Sequence, residues 1–104
     1  MLFDDPEEFT TLYGNQLDRI GPAGGGYLGI PPGTPFAQRA LPPSTLNKAL
    51  HPYAFTGKLP PGIKIEVSEV APAFGRPGGG IQVRFMDGKK SITVEELISD
   101  GVLL

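Results

Sequence analysis

Apolar residues fall in short blocks along this chain, and the blocks differ in period. Phe9, Leu12 and Tyr13 stand at i, i+3 and i+4, the spacing of one helix face. Asp5 is placed to cap that helix, Pro6 suits its first position, and Glu7 and Glu8 complement its positive end. Gly14 stops it. Residues 18–44 hold no sustained period and are expected to be mostly loop, with a short strand at Tyr27–Ile30. Ser44 predicts the cap of a brief helix through Leu50, ended by Pro52.

The second half switches to period two. Tyr53–Thr56 is a short strand candidate. Ile63, Ile65 and Val67 alternate with Lys64, Glu66 and Ser68, and Ile81, Val83 and Phe85 alternate with Gln82 and Arg84. Asp87-Gly88 then reads as a hairpin turn. Thr93 and Glu96 form a capping box for a last helix, with Val94, Leu97 and Ile98 facing inward and Gly101 ending it. The pattern predicts an α+β domain over 1–104. It has a small, twisted, mostly antiparallel sheet, short flanking helices and long Gly/Pro-rich loops forming a cleft.

Strand parity gives this pattern a functional consequence. If Ile81, Val83 and Phe85 face the core, Gln82 and Arg84 point to the other side of the sheet. Gln82 then emerges beside the backbone of Gly78–Gly80.

Composition narrows the class. The chain has 104 residues, enough for one domain with its own core. Its 15 glycines and 12 prolines approach a low-complexity proportion, but 39% hydrophobic residues and clear periodicity argue for ordered loops instead. A net charge of −2 without a basic run argues against nucleic acid or an anionic membrane as partner. No apolar stretch approaches a transmembrane span, and the N-terminus lacks a signal-peptide shape. Zero cysteines rule out a disulfide framework and thiolate chemistry. One histidine, with carboxylates gathered in predicted helices, offers no metal-ligand spacing.

The candidate chemistry lies in five side chains set among glycines and prolines: Arg19, Tyr27, Arg39, His51 and Gln82. Guanidinium forks suit a pyrophosphate, a tyrosine face suits a flat base, and glycine lets backbone approach a ligand. Each also has a plainer role. Gln82 could stand on a solvated strand face, His51 in a surface loop, and Tyr27 in the core. Arg19 and Arg39 could pair with carboxylates such as Asp18, and Gly78, Gly79 and Gly80 could form a turn. The glycine run lacks the strand–GxGxxG–helix context of a dinucleotide fold and the lysine of a P-loop. His51, the only histidine, at the end of the predicted helix would feel the carbonyl dipoles there.

Three long irregular stretches carry a resemblance. They are L-D-R-I-G-P (17–22), Y-L-x-x-P-x-G-T-P-F-x-Q-R-x-L-P-P (27–43) and A-P-x-F-G-x-P-G-G-G-x-Q (71–82), with a looser match at V-E-E-L-I-x-x-G-V-L (94–103). In this order, over residues 17–103, they resemble the tuberculosis necrotizing toxin family of bacterial and fungal domains that hydrolyse NAD and NADP. The family's functional positions fall on Arg19, Tyr27, Arg39, His51 and Gln82, with Phe74, Gly78, Gly79 and Gly80 in the glycine motif. Two positions depart from the pattern: Ala73 stands where the family commonly has tryptophan, and Arg76 where it often has glutamine. No acidic loop resembles the accessory calcium site of some fungal relatives.

The resemblance implies an NAD(P) glycohydrolase that cleaves the nicotinamide–ribose bond, with NAD or NADP as substrate and no cofactor or metal. His51, Gln82 and Arg19 are the implied catalytic residues. Arg19, Tyr27, Arg39, Phe74, Gly78, Gly79, Gly80 and Gln82 are the implied substrate contacts. It further implies a secreted or injected toxin domain acting in the target-cell cytosol, as a short effector or the C-terminal part of a larger toxin. A cognate immunity protein would cover the cleft. The alternatives are an ADP-ribosyl-transferring toxin and a non-catalytic NAD-binding or interaction module.

Overall fold

A computed structural model describes every residue from Met1 to Leu104. Seven strands form one open sheet: β1 (Leu2–Phe3), β2 (Gln16–Ile20), β3 (Leu28–Ile30), β4 (Leu50–Ala54), β5 (Ile63–Glu69), β6 (Ile81–Asp87) and β7 (Lys90–Ser91). Their order is β1-β5-β6-β3-β2-β4, with β7 paired to the end of β6, and every pairing is antiparallel. Three short helices accompany the sheet: α1 (Pro6–Tyr13), α2 (Phe36–Arg39) and α3 (Val94–Ser99). The α+β class is therefore as expected.

The caps form where their chemistry predicts. The Asp5 side chain accepts from Glu7 N–H at 2.9 Å, and Pro6 opens α1. Thr93 accepts from Glu96 N–H at 3.2 Å and starts α3. Gly88, at φ 60°, lets the chain reverse between Asp87 and Lys90.

One face of the sheet carries the core. Leu17, Leu28, Ile65, Val67, Val83 and Phe85 meet Phe9 from α1 and Val94 and Leu97 from α3. Burial of each large side chain stabilises the fold by about 1.5–3 kcal/mol. Phe3, Phe9 and Phe55 pack edge-on, with ring centroids 5.9 Å apart in each contact.

Four expectations need correction. Leu12 and Ile98, expected on inward helix faces, are exposed, because α1 and α3 bury little beyond Phe9, Val94 and Leu97. No helix runs from Ser44 to Leu50. Pro43–Thr45 form one 3-10 turn, and Leu50 already begins β4. Pro52 lies inside that strand, which an edge position tolerates because one side of the strand needs no donor. The stretch taken as loop from residue 18 contains most of β2, a strand with two charged residues near its centre.

Candidate active site

Away from the core, β2, β3 and β6 meet the Pro/Gly-rich loops around a cleft of about 480 Å³. A recess of about 50 Å³ adjoins it between Tyr27, Thr34, Arg39 and Gln82. The larger volume falls within the roughly 300–1,000 Å³ of small-molecule sites.

Gln82 stands where strand parity predicts. Val83 and Phe85 are fully buried, while Gln82 lines the cleft and opposes Gly29 and Ser68 in the two flanking ladders. Its Nε2 donates to Ser68 Oγ at 3.1 Å, which orients the amide. Two residues on, Arg84 Nε donates to Glu66 Oε1 at 2.7 Å, and the guanidinium lies 4.9 Å from the centroid of the Tyr27 ring. That hydrogen bond holds the Glu66 carboxyl below its ordinary pKa and the Arg84 guanidinium above its own. Tyr27 is thus braced by a cation and lines the cleft while remaining 43% exposed.

The two family arginines have different surroundings. Arg39 is buried, its Nη2 donating to Asp18 Oδ1 at 2.6 Å and its Nε to the Thr34 carbonyl at 2.8 Å. Asp18 Oδ2 accepts from Gly33 N–H at 2.7 Å, so the carboxylate ties β2 to the loop before α2. The plainer role applies to Arg39: its charge is neutralised within the protein. Gly29 is required here, since a Cβ would lie 2.9 Å from Arg39 Nη1 and 3.1 Å from Asp18 Oδ1.

Arg19 keeps a free edge. Its Nε donates to the Pro22 carbonyl at 2.8 Å and its Nη1 to the Tyr27 carbonyl at 3.0 Å, while Nη2 has no partner in the protein. A Cβ on Gly25 would collide with the guanidinium, so the glycine at this position makes room for the side chain. Burial lowers the Arg19 pKa from its ordinary value, although an arginine stays charged. No carboxylate pairs with it.

His51 is placed differently from expectation. It sits on the edge strand β4, directly opposite Arg19 in the ladder, exposed and free of any helix terminus. Opposed residues project from the same face, so His51 and Arg19 are neighbours. By register that face is the one Leu17 uses, opposite the face of Asp18, Gly29 and Gln82. Arg19 lines the cleft at the strand end, whereas His51 does not line it.

The glycines of 78–80, implied as substrate contacts, use their backbone donors within the protein. Gly78 N–H donates to Ala37 O at 3.2 Å, Gly79 N–H to Val70 O at 2.9 Å, and Gly80 N–H to Gln38 O at 3.0 Å. All three donors bind carbonyls of the protein, leaving none as a phosphate cradle. The glycines serve close packing instead: a Cβ on Gly80 would stand 2.9 Å from Gln38 O, and one on Gly78 would clash with Val70 O. Only Gly80 lines the recess.

Before that run, Ala73 and Arg76 exchange backbone hydrogen bonds of 3.2 and 2.8 Å around Phe74 and Gly75. Both turn residues have positive φ, 52° and 71°, which is rare for an aromatic residue. The turn holds Phe74 on the cleft wall, 59% exposed. Arg76 lies 5.3 Å from the Phe36 ring centroid and outside the cleft.

Motif reading did not single out Asp18, Ser68, Arg84 or Lys48 as site residues. The parity of β5 and β6 already placed Ser68 and Arg84 on the face of Gln82. Asp18 enters that reading only as a possible partner of the two arginines, a pairing that Arg39 makes, and Lys48 carries no local signal. The assembled cleft is lined by Arg19, Arg39 and Lys48 and by no carboxylate, an electropositive site in a chain of net charge −2.

Comparison with known proteins bears on the family and the fold. Two curated relatives, the outer membrane channel protein CpnT of Mycobacterium tuberculosis (strain H37Rv) and of Mycobacterium bovis (strain BCG / Pasteur), are each 50% identical to it over 101 residues. The match covers 93% of this chain but only 12% of each relative. A solved structure of tuberculosis necrotizing toxin complexed with its immunity factor superposes with a TM-score of 0.92 at 46% identity. That match covers all of this chain and 54% of the other. With the family model for tuberculosis necrotizing toxin matching residues 11–104 as well, the chain belongs to that family.

Proposed function

We propose that this chain is the catalytic domain of a secreted toxin and hydrolyses NAD or NADP to nicotinamide and ADP-ribose or its phosphate. The observation that carries the reading is the cleft itself. It combines an arginine edge without a carboxylate partner, a braced tyrosine face and an oriented amide in a volume suited to a small molecule.

The chemistry suits so sparse a site. Nicotinamide carries positive charge while bound to ribose and leaves neutral, so it needs no general acid. The transition state resembles an oxocarbenium ion, as in glycoside hydrolysis. No carboxylate lines the cleft to meet the developing cation, so positioning supplies most of the catalysis. In this assignment Arg19 Nη2 grips phosphate. Tyr27 offers a flat base the ring face that Arg84 does not cover, and Phe74 forms a second apolar wall. Gln82, held by Ser68, presents its remaining polar atoms to a ribose hydroxyl or to water. His51 neighbours Arg19 across the β2·β4 ladder but lies outside the cleft lining, and no step is assigned to it. Arg39 holds β2 to α2 and so shapes the recess.

An immunity protein that covers this cleft is part of the same reading. The neighbour of known structure was solved with its immunity factor, and exposed Tyr27 and Phe74 give a covering protein apolar area at the mouth.

The test is incubation of the purified chain with NAD and separation of the products. Release of nicotinamide and free ADP-ribose, persisting in EDTA, is expected. ADP-ribose attached to an added protein would make the chain a transferase, and unchanged NAD would make it a non-catalytic module.

A further inference from the structure

We infer that Lys48, together with Arg19, forms the diphosphate subsite of the cleft. The inference deepens the proposed NAD(P) hydrolysis and rests on it for the identity of the ligand. Its physical basis is separate.

A diphosphate needs cations with free donors on one side of a cleft. Of the three cations lining this one, Arg39 is paired with Asp18 at 2.6 Å and buried, so its charge is already answered. Arg19 and Lys48 have no carboxylate partner. Arg19 keeps Nη2 unbonded, and Lys48 forms no ion pair within the protein.

The two are brought together by backbone. In the β2·β4 ladder Arg19 opposes His51 and Ile20 opposes Leu50, and Gly21 N–H then donates to the Ala49 carbonyl at 3.0 Å. Lys48 is the next residue, its own N–H fixed to the Thr45 carbonyl at 3.0 Å. Both side chains flank Gly21: the position a Cβ would take there lies 3.7 Å from Lys48 Cδ and 4.0 Å from Arg19 Nη2. A glycine between two cations leaves room for an anion bridging them. A lysine adds a mobile point charge to the planar arginine edge, which suits adjacent phosphates that share negative charge.

The experiment titrates inorganic pyrophosphate and ADP-ribose calorimetrically into the wild type, Lys48→Ala and Lys48→Arg, with NAD turnover measured in parallel. Lys48 is exposed in a connecting segment, so these variants should fold. Both probes should bind the wild type, weaken on the order of tenfold in Lys48→Ala, and recover in Lys48→Arg. For NAD, Lys48→Ala should raise KM and leave kcat nearly unchanged, the signature of lost uniform binding. Equal affinity of both probes for the wild type and Lys48→Ala would overturn the subsite, as would a wild type that binds neither. Lys48-dependent pyrophosphate binding in a wild type that leaves NAD intact would keep the subsite and remove the hydrolase reading. NAD turnover with affinities indifferent to Lys48 would do the reverse.

Discussion

Asp18 and Arg39 form a buried ion pair at 2.6 Å that joins the centre of β2 to the end of α2. The carboxylate is almost fully enclosed, and its other oxygen is satisfied by Gly33 N–H. Such a pair contributes through its completeness, since one partner left alone would be an uncompensated buried charge. Asp18→Ala and Arg39→Ala should each lose about 3–5 kcal/mol in denaturant unfolding. The double variant should lose clearly less than the two together. Additive losses would show that the two side chains act independently.

Arg19 should behave as a ligand contact. Arg19→Ala should weaken NAD turnover or binding by about 1.5–3 kcal/mol, roughly 10- to 150-fold. Arg19→Lys should recover little, because an ammonium cannot hold both carbonyls and still present a free edge. Wild-type kinetics in a folded Arg19→Ala protein would take Arg19 out of the site.

Gln82 and Val83 separate function from stability at adjacent positions. Gln82→Ala should change unfolding free energy by no more than about 0.5 kcal/mol while lowering turnover by roughly tenfold or more. Val83→Ala removes atoms from a fully buried position and should lose about 1–3 kcal/mol with catalysis in the folded fraction intact. A stable Val83→Ala beside an unfolded Gln82→Ala would contradict the burial pattern of β6.

Glu66 and Arg84 make one part of the stability depend on pH. Hydrogen bonding to Arg84 lowers the folded-state pKa of Glu66 below its unfolded value of about 4.3. The stabilisation is therefore fully present above that value and disappears as pH falls through the folded pKa. Both side chains are partly solvated, so the pair is worth about 0.2–1 kcal/mol. Unfolding curves of wild type and Glu66→Gln should differ at neutral pH and converge in acid. A constant difference down to pH about 2 would mean that the carboxylate's ionisation does not matter to the fold.

Much of this molecule was legible residue by residue. The caps at Asp5 and Thr93, the turn at Asp87-Gly88 and the alternation of β5 and β6 depend on contacts close in sequence or on the strict period of a strand. That period alone put Gln82 and Arg84 opposite the core. The irregular motifs, from L-D-R-I-G-P to the glycine run, sufficed to place the chain in its family. What local pattern could not determine was which polar groups would meet. β2 looked like loop because Asp18 and Arg19 interrupt its apolar pattern, and the partner that lets Asp18 be buried lies 21 residues away. His51 looked like a helix end, yet an edge position in the sheet let Pro52 enter a strand beside it. The resemblance implies substrate contacts at Gly78, Gly79 and Gly80, but nothing local tells that Ala37, Val70 and Gln38 take their backbone donors. Long-range hydrogen bonding decides whether a buried charge or a free N–H remains for a ligand, and only tertiary structure sets those pairings.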